Sequence, residues 1–180
     1  MLDVAVSYNR YKFLGYEFLT WLWFAMEKQP EALKETDPEL ELIEVGNRIV
    51  LENHRNNTEE SITIKGDQAG LEEGTLALGK GAVVTELNLI YKSGNHEWRF
   101  SVKGESLHLS GLKTPQTGPV EKNEDMEGVV LEKIFLLEKA LVLIHNLYKQ
   151  FIRLRISPKW EKEIIPQIRK WIISQQRTRN

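Results

Sequence analysis

The sequence predicts an α+β fold in which one helix precedes an antiparallel sheet of about six strands and long helices follow it. Three observations predict this class: an aromatic-rich helical stretch near the start, a middle region that alternates polar and apolar residues, and a C-terminal third with helical periodicity. The 180 residues suffice for one sizeable domain, and a content of 41% hydrophobic and 28% charged residues is ordinary for a globular protein.

The first predicted element is a helix over residues 11–28, whose apolar residues follow helical spacing at Leu14, Phe18, Trp21, Leu22 and Ala25. Its apolar part, residues 13–26, is shorter than the roughly 20 residues that span a membrane, so we predict no membrane contact. We expect this helix to lie buried between the sheet and the C-terminal helices. Glu17 and Thr20 then need polar partners, because an unpaired polar group is costly to bury.

Alternating segments predict strands over residues 39–45, 48–53, 61–66, 82–92, 96–104 and 106–113. Gly46-Asn47 between the first two is interpreted as a hairpin turn. The glycine-rich stretch 67–81 predicts a short helix with a C-cap at Gly79 or Gly81. The alternation is typical of antiparallel sheet with one face open to water.

A segment rich in Pro, Gly and acidic residues, 116–128, is interpreted as a linker between a domain over 1–115 and a helical arm over 129–180. The arm begins with seven apolar residues spaced alternately four and three apart, namely Val130, Ile134, Leu137, Leu141, Ile144, Tyr148 and Phe151. A second apolar stripe runs beside this seam, at Leu136, Ala140, Leu143, Leu147 and Leu154. Such a helix most often packs on its own domain, and a dimer seam is the alternative.

A further helix is predicted after residue 156, with Ser157 as N-cap, Pro158 at its first position and a kink at Pro166. Its predicted apolar face consists of Trp160, Ile164, Ile168, Trp171 and Ile172. Residues 149–180 contain nine basic and two acidic residues, a charge of +7, which leaves −9 for the rest of a chain of net charge −2. This basic end is either a solvated helix face or a contact for an anion. The candidates for phosphate contact are Lys149, Arg153, Arg155, Lys159, Lys162, Arg169 and Lys170.

Several kinds of catalytic site are not predicted. The chain has no cysteine, which fits a reducing cytoplasm and excludes thiolate chemistry. Its four histidines are at least twelve residues apart, so they form no local metal-binding motif. The stretch from Gly74 to Gly81 resembles a phosphate-binding loop but lacks the Ser or Thr that would hold magnesium. We therefore predict no enzyme, no metal site and no cofactor.

The stretch FLGYEFLTWLWF, residues 13–24, resembles the signature helix of the recombination-associated RdgC family, in its divergent branch. Further similar stretches occur in the same order: VLEN (50–53), ITIKGD (62–67), ALGKGAVV (77–84), EWRFSVKGESL (97–107), LKTP (112–115) and LYKQFIRLR (147–155). The resemblance covers essentially the whole chain, which corresponds to the C-terminal part of a longer family member.

The resemblance implies an α+β protein without catalytic activity that binds double-stranded DNA with little sequence preference. Characterised members of the family are homodimers that close a ring around DNA and restrain the strand-exchange recombinase. A cytoplasmic, nucleoid-associated location follows from the same resemblance. The N-terminal segment that helps to close the ring has no counterpart in this chain, so ring formation is not implied for it.

Two functional hypotheses follow from the sequence. The first is a non-sequence-specific DNA-binding accessory protein of recombination or replication that uses the basic C-terminal helices. The second is a non-enzymatic protein-interaction or assembly module that uses the heptad seam, with the basic end contacting an acidic protein partner.

Overall fold

The computed structural model describes residues 4–55, 58–66, 68–118 and 126–177. The described strands form one antiparallel sheet in the order β2-β1-β3-β4-β5, with β1 Leu40–Arg55, β2 Thr58–Lys65, β3 Val83–Ser93, β4 His96–Lys103 and β5 His108–Lys113. The helices are α1 Val4–Lys28, α2 Pro30–Lys34, α3 Gln68–Gly79, α4 Met126–Arg155 and, after a π-helical turn Trp160–Ile164, α5 Ile165–Arg177. The predicted α+β class is therefore confirmed.

The predicted hairpin at Gly46-Asn47 is wrong, because the single strand β1 runs through both residues. The register of β1 against β3 shifts between Val45 and Ile49, so the residues between them bulge. Asn47 N–H donates a hydrogen bond to Asn88 Oδ1 at 3.3 Å, and a Cβ on Gly46 would come within 2.0 Å of that oxygen. The Gly-Asn pair thus serves a bulge, and the described sheet has five strands instead of six.

The N-terminal helix is buried as predicted. In α1, Phe18, Leu19, Leu22, Trp23 and Ala25 have no exposed surface, and they belong to one hydrophobic core with the inner face of the sheet and with α4 and α5. That core contains side chains from both predicted segments, 1–115 and 129–180. The two polar residues have partners: Glu17 Oε2 accepts a hydrogen bond from Arg155 Nε at 2.7 Å, and Thr20 Oγ1 donates to the Tyr16 carbonyl at 2.9 Å.

The sheet has one apolar and one polar face, as the alternation predicts. On β3 the side chains of Leu87, Leu89 and Tyr91 are fully buried, whereas Asn88 and Lys92 between and beside them are half-buried. The outer face is linked by the ion pairs Arg48–Glu86, Lys92–Glu97 and Arg99–Glu97. Since the helices cover the inner face, the outer face of the sheet meets solvent.

α1 approaches the sheet very closely at Gly15, where a Cβ would lie 1.6 Å from the Gly104 carbonyl oxygen. The C-cap of α3 lies at Gly81, one of the two predicted positions. Gly81 has a φ of +92°, and Ala82 N–H bonds to the Ala77 carbonyl at 3.0 Å, as in a Schellman motif.

The connection from α4 to α5 is tight. Ser157 lies directly before the next helix, at the predicted N-cap position, but its Oγ donates to the Leu154 carbonyl at 2.7 Å and so satisfies the end of α4. Pro158 opens that helix as predicted. The helix widens into the π-helical turn, which ends two residues before Pro166, a residue with no N–H for a regular helical hydrogen bond.

Candidate nucleic-acid interface and association surface

Six of the seven basic candidates have exposed side chains on the C-terminal helices. Lys149 and Arg153 lie one turn apart on α4, and the others follow after the end of α4, at Lys159, Lys162, Arg169 and Lys170. None of the six has an ion-pair partner within the described part of the chain. Their charges are therefore available to an anion in solution.

Arg155 is the exception among the seven. Its Nε donates to Glu17 Oε2 at 2.7 Å, and its guanidinium carbon lies 5.5 Å from the centre of the Trp160 ring. These two contacts tie the end of α4 to α1 and to the π-helical turn. Arg155 therefore has a structural role, and its charge is balanced by a neighbouring carboxylate.

Acidic residues divide the basic surface. Glu161 and Glu163 are exposed in the same π-helical turn as Lys162, so they lower the positive charge there. Away from them the basic residues form two pairs, Lys149 with Arg153 and Arg169 with Lys170. Neither pair has an acidic residue within three positions of it in the sequence.

The structure adds one basic residue that counting charge along the chain does not find. Lys28, at the end of α1, lines a cavity of about 270 Å³ together with Lys170 and Trp171. The amides of Gln29 and Gln167 bridge the two helices there with a hydrogen bond of 2.7 Å. Lys28 lies far from the C-terminal segment in sequence, and only the packing of α1 against α5 brings it to the basic surface.

The aromatic residues of this end belong to the core, as predicted. Trp160 packs edge-on against Phe151, with ring centres 5.4 Å apart. Trp171 packs against Trp23, and its Nε1 donates to Glu27 Oε2 at 2.9 Å. With exposed fractions of 4% and 3%, Trp160 and Trp171 offer no platform for stacking a base.

The heptad seam of α4 divides into two parts. The last three seam residues pack on the body: Ile144 and Phe151 are buried, and half-burial raises the pKa of Tyr148. The first four are exposed to between 42% and 53%, namely Val130, Ile134, Leu137 and Leu141. The seam is thus neither wholly a core face nor wholly an open one.

The second stripe is the side on which α4 docks. Leu136, Ala140, Leu143 and Leu147 are buried. Trp98 Nε1 donates to the Leu136 carbonyl at 2.9 Å, and Lys139 Nζ reaches Glu39 Oε2 at 2.7 Å and Ser93 Oγ at 2.9 Å. These contacts begin at Leu136, so the preceding turns extend beyond the docked part of the helix.

An apolar cavity of about 360 Å³ lies between α1, the end of α3 and α5, with Phe13, Leu78 and Ile172 among its walls. Among the described residues, no cluster of three or more His, Asp or Glu side chains is placed to hold a metal ion. No described helix is long and apolar enough to cross a membrane.

Comparison with protein-family models, with curated proteins and with solved structures gives no match to this chain.

Proposed function

We propose that this protein is a non-sequence-specific, double-stranded-DNA-binding accessory protein of recombination or replication. The observation that carries the proposal is the set of six exposed basic side chains on the C-terminal helices, which have no ion-pair partner among the described residues, in a chain whose residues 1–148 carry a net charge of −9. The similarity of residues 13–24 and of the later stretches to the RdgC family supports the same class of function.

The chemistry of these side chains suits the DNA backbone. Lysine and arginine attract phosphates irrespective of base sequence, and binding gains free energy from the release of counterions. The net charge of −9 on residues 1–148 repels DNA, so the field of the protein favours an approach through the basic end. Lys28 extends that surface beside Lys170.

The test is a titration of a labelled random-sequence duplex at salt concentrations from about 50 to 200 mM. Six phosphate contacts predict a slope of about −5 in a plot of log affinity against log salt, at about −0.9 for each contact. Lys149→Glu, Arg153→Glu and Arg169→Glu together should lower the magnitude of this slope by about 3. A second duplex of unrelated sequence should bind equally well.

The matched control reverses three exposed lysines on the sheet, which have no ion-pair partner among the described residues: Lys65, Lys103 and Lys113. It changes the net charge by the same amount, so it should weaken binding only through the long-range field. Absence of binding at low salt, or equal losses in both triple variants, contradicts the proposal.

A second candidate function is that of a non-enzymatic assembly module. The observation that favours it is the exposed first part of the α4 seam, since monomeric proteins rarely expose so many contiguous apolar side chains. The basic end would then contact an acidic protein partner. An excess of an acidic polypeptide that leaves DNA binding unchanged would count against that contact.

A further inference from the structure

The first half of α4, residues 126–142, carries eight exposed large apolar side chains. Each leaves between 42% and 61% of its surface exposed, and they are Met126, Val130, Leu131, Ile134, Phe135, Leu137, Leu141 and Val142. This segment is named here the free half of α4. Among the described residues, the neighbours of α4 leave these side chains about half exposed, whereas they bury Ile144 and Phe151.

The size of this surface matches one side of a protein–protein interface. If each half-exposed side chain contributes roughly 100 Å², the surface is on the order of 800 Å², which is what each partner of a standard interface buries. A patch of this size exceeds the few hundred Å² that monomers ordinarily expose. The free half is therefore large enough to form one side of an interface.

The pattern of the free half specifies a helix as its partner. Val130, Ile134, Leu137 and Leu141 are spaced four, three and four residues apart, which is the spacing of a coiled-coil seam. Seams of this kind pack against a second seam of the same period. A second copy of this chain supplies such a seam. Seam residues after Leu141 cannot contact a partner helix in this way, because the next one, Ile144, is already buried within the same chain.

The charges beside the seam select the orientation. Lys133 directly precedes Ile134, and Glu138 directly follows Leu137, so these two charges flank the seam on opposite sides. In a parallel pair, each Lys133 faces the Glu138 of the second copy, and two interchain ion pairs form. An antiparallel pair centred on the same residues places Lys133 near Ala140 and Glu138 near Leu131, which leaves all four charges unpaired.

We propose that the free half of α4 binds the same segment of a second copy of this chain as a short parallel coiled coil that ends at Leu141. The inference rests on the second candidate function and names its partner. Since the association needs no DNA, it is measured separately from the phosphate contacts. The seam from Val130 to Leu141 spans only about 18 Å of helix, so we expect a dissociation constant in the micromolar range.

The same side of α4 changes character beyond the free half. The exposed stripe formed by Leu131, Phe135 and Val142 continues, at helical spacing, with Lys149 and Arg153. A parallel pair keeps the two copies pointing the same way, so it brings both copies of this basic pair to one end of the assembly. Self-association would then increase the number of phosphate contacts for each DNA-bound unit.

The experiment uses the absence of cysteine in the chain. Leu141→Cys places one thiol at the seam, and in a parallel pair the two thiols face each other and form a disulfide on mild oxidation. In the antiparallel pair Leu141 faces Val130, which places the two thiols about 16 Å apart and prevents the bond. The control is Ile173→Cys, at an apolar α5 residue that is 49% exposed.

Sedimentation of the unmodified chain between about 1 and 100 μM should show a reversible dimer, and Ile134→Glu should leave a folded monomer by circular dichroism. Lys133→Glu should weaken the dimer at least tenfold, and adding Glu138→Lys should restore it. A monomer throughout this concentration range overturns the proposal, as does equal disulfide formation in the Leu141 and Ile173 variants. Failure of the charge exchange to restore association overturns the parallel orientation.

Discussion

The two halves of α4 have the same apolar periodicity and opposite surroundings. In the second half, Ile144 and Phe151 are buried, and Phe151 packs against Phe18 of α1 and Trp160 of the π-helical turn. In the free half, Val130 and Leu137 occupy the equivalent seam positions and are about half exposed. Periodicity therefore indicates which side of a helix is apolar. Whether that side is buried depends on how far the neighbouring sheet and helices extend along it.

The boundary between the halves has a physical cause. Trp98, fully buried on β4, donates its Nε1–H to the Leu136 carbonyl, and this is the point at which α4 meets the sheet. Leu136 and the residues that follow it at helical spacing are buried, whereas those before it have no such cover. The sheet and α1 thus set how much of the heptad pattern is used within one copy.

The largest effect expected from this comparison separates two phenylalanines of the same helix. Phe151→Ala should lower the free energy of unfolding by about 3–5 kcal/mol, because Phe151 is fully buried and its removal leaves a cavity. Phe135→Ala, at a side chain that is 61% exposed, should change the stability of the monomer by no more than about 0.5 kcal/mol. Denaturant unfolding at low protein concentration measures both.

Equal losses in the two variants would contradict the division of α4 into a docked and a free half. A loss for Phe135→Ala that appears only as the protein concentration rises would instead report the covering of the free half by a second copy, because association stabilises the folded state by mass action.

A smaller effect concerns pH at the docking point. Tyr91 stacks on Trp98 with ring centres 4.8 Å apart, and its hydroxyl donates to Asp37 Oδ2 at 2.7 Å. Burial, and then this hydrogen bond, raise the pKa of Tyr91 above its ordinary value of 10.0. Above pH 10 the unfolded chain loses this proton while the folded chain keeps it, so the stabilisation present below pH 10 is lost as the pH rises.

The free energy of unfolding should therefore fall above pH 10 by up to about 1.4 kcal/mol per pH unit for this group. Tyr91→Phe should remove that part of the slope. Tyr148→Phe serves as the comparison, because burial alone raises the pKa of Tyr148 and no side-chain hydrogen bond adds to it. A slope that is unchanged in Tyr91→Phe would contradict the assignment.

Much of the fold is predictable from local pattern, and the remainder depends on contacts between distant residues. The buried α1, the polar outer face of the sheet and the core positions of Trp160 and Trp171 follow from periodicity alone. The Gly46-Asn47 bulge does not, because Asn88 of the neighbouring strand decides it. Whether a Gly-Asn pair turns the chain or bulges a strand depends on what lies opposite.

The candidate surfaces show the same limit. Charge counting selects Lys149, Arg153 and Arg155 alike. It cannot separate Lys149 and Arg153, whose side chains are exposed, from Arg155, which forms an ion pair with Glu17 of another helix. It also omits Lys28, which reaches the basic surface only through the packing of α1 against α5. Composition locates a basic segment, and tertiary structure decides which of its charges are unpaired.

The smallest effect expected concerns the ion pair between Arg155 and Glu17. A double-mutant cycle with Glu17→Gln and Arg155→Gln should give a coupling below about 1 kcal/mol, because both side chains keep about a third of their surface exposed and water screens the pair.

If Arg155 is withheld from DNA by Glu17, then Glu17→Gln should steepen the salt dependence of DNA binding by at most about one phosphate contact. Arg155→Gln in the otherwise unmodified chain should leave that slope unchanged, since an arginine that is already neutralised contributes no counterion release. A clear loss of slope in Arg155→Gln would instead place Arg155 with Lys149 and Arg153 among the residues that contact phosphate.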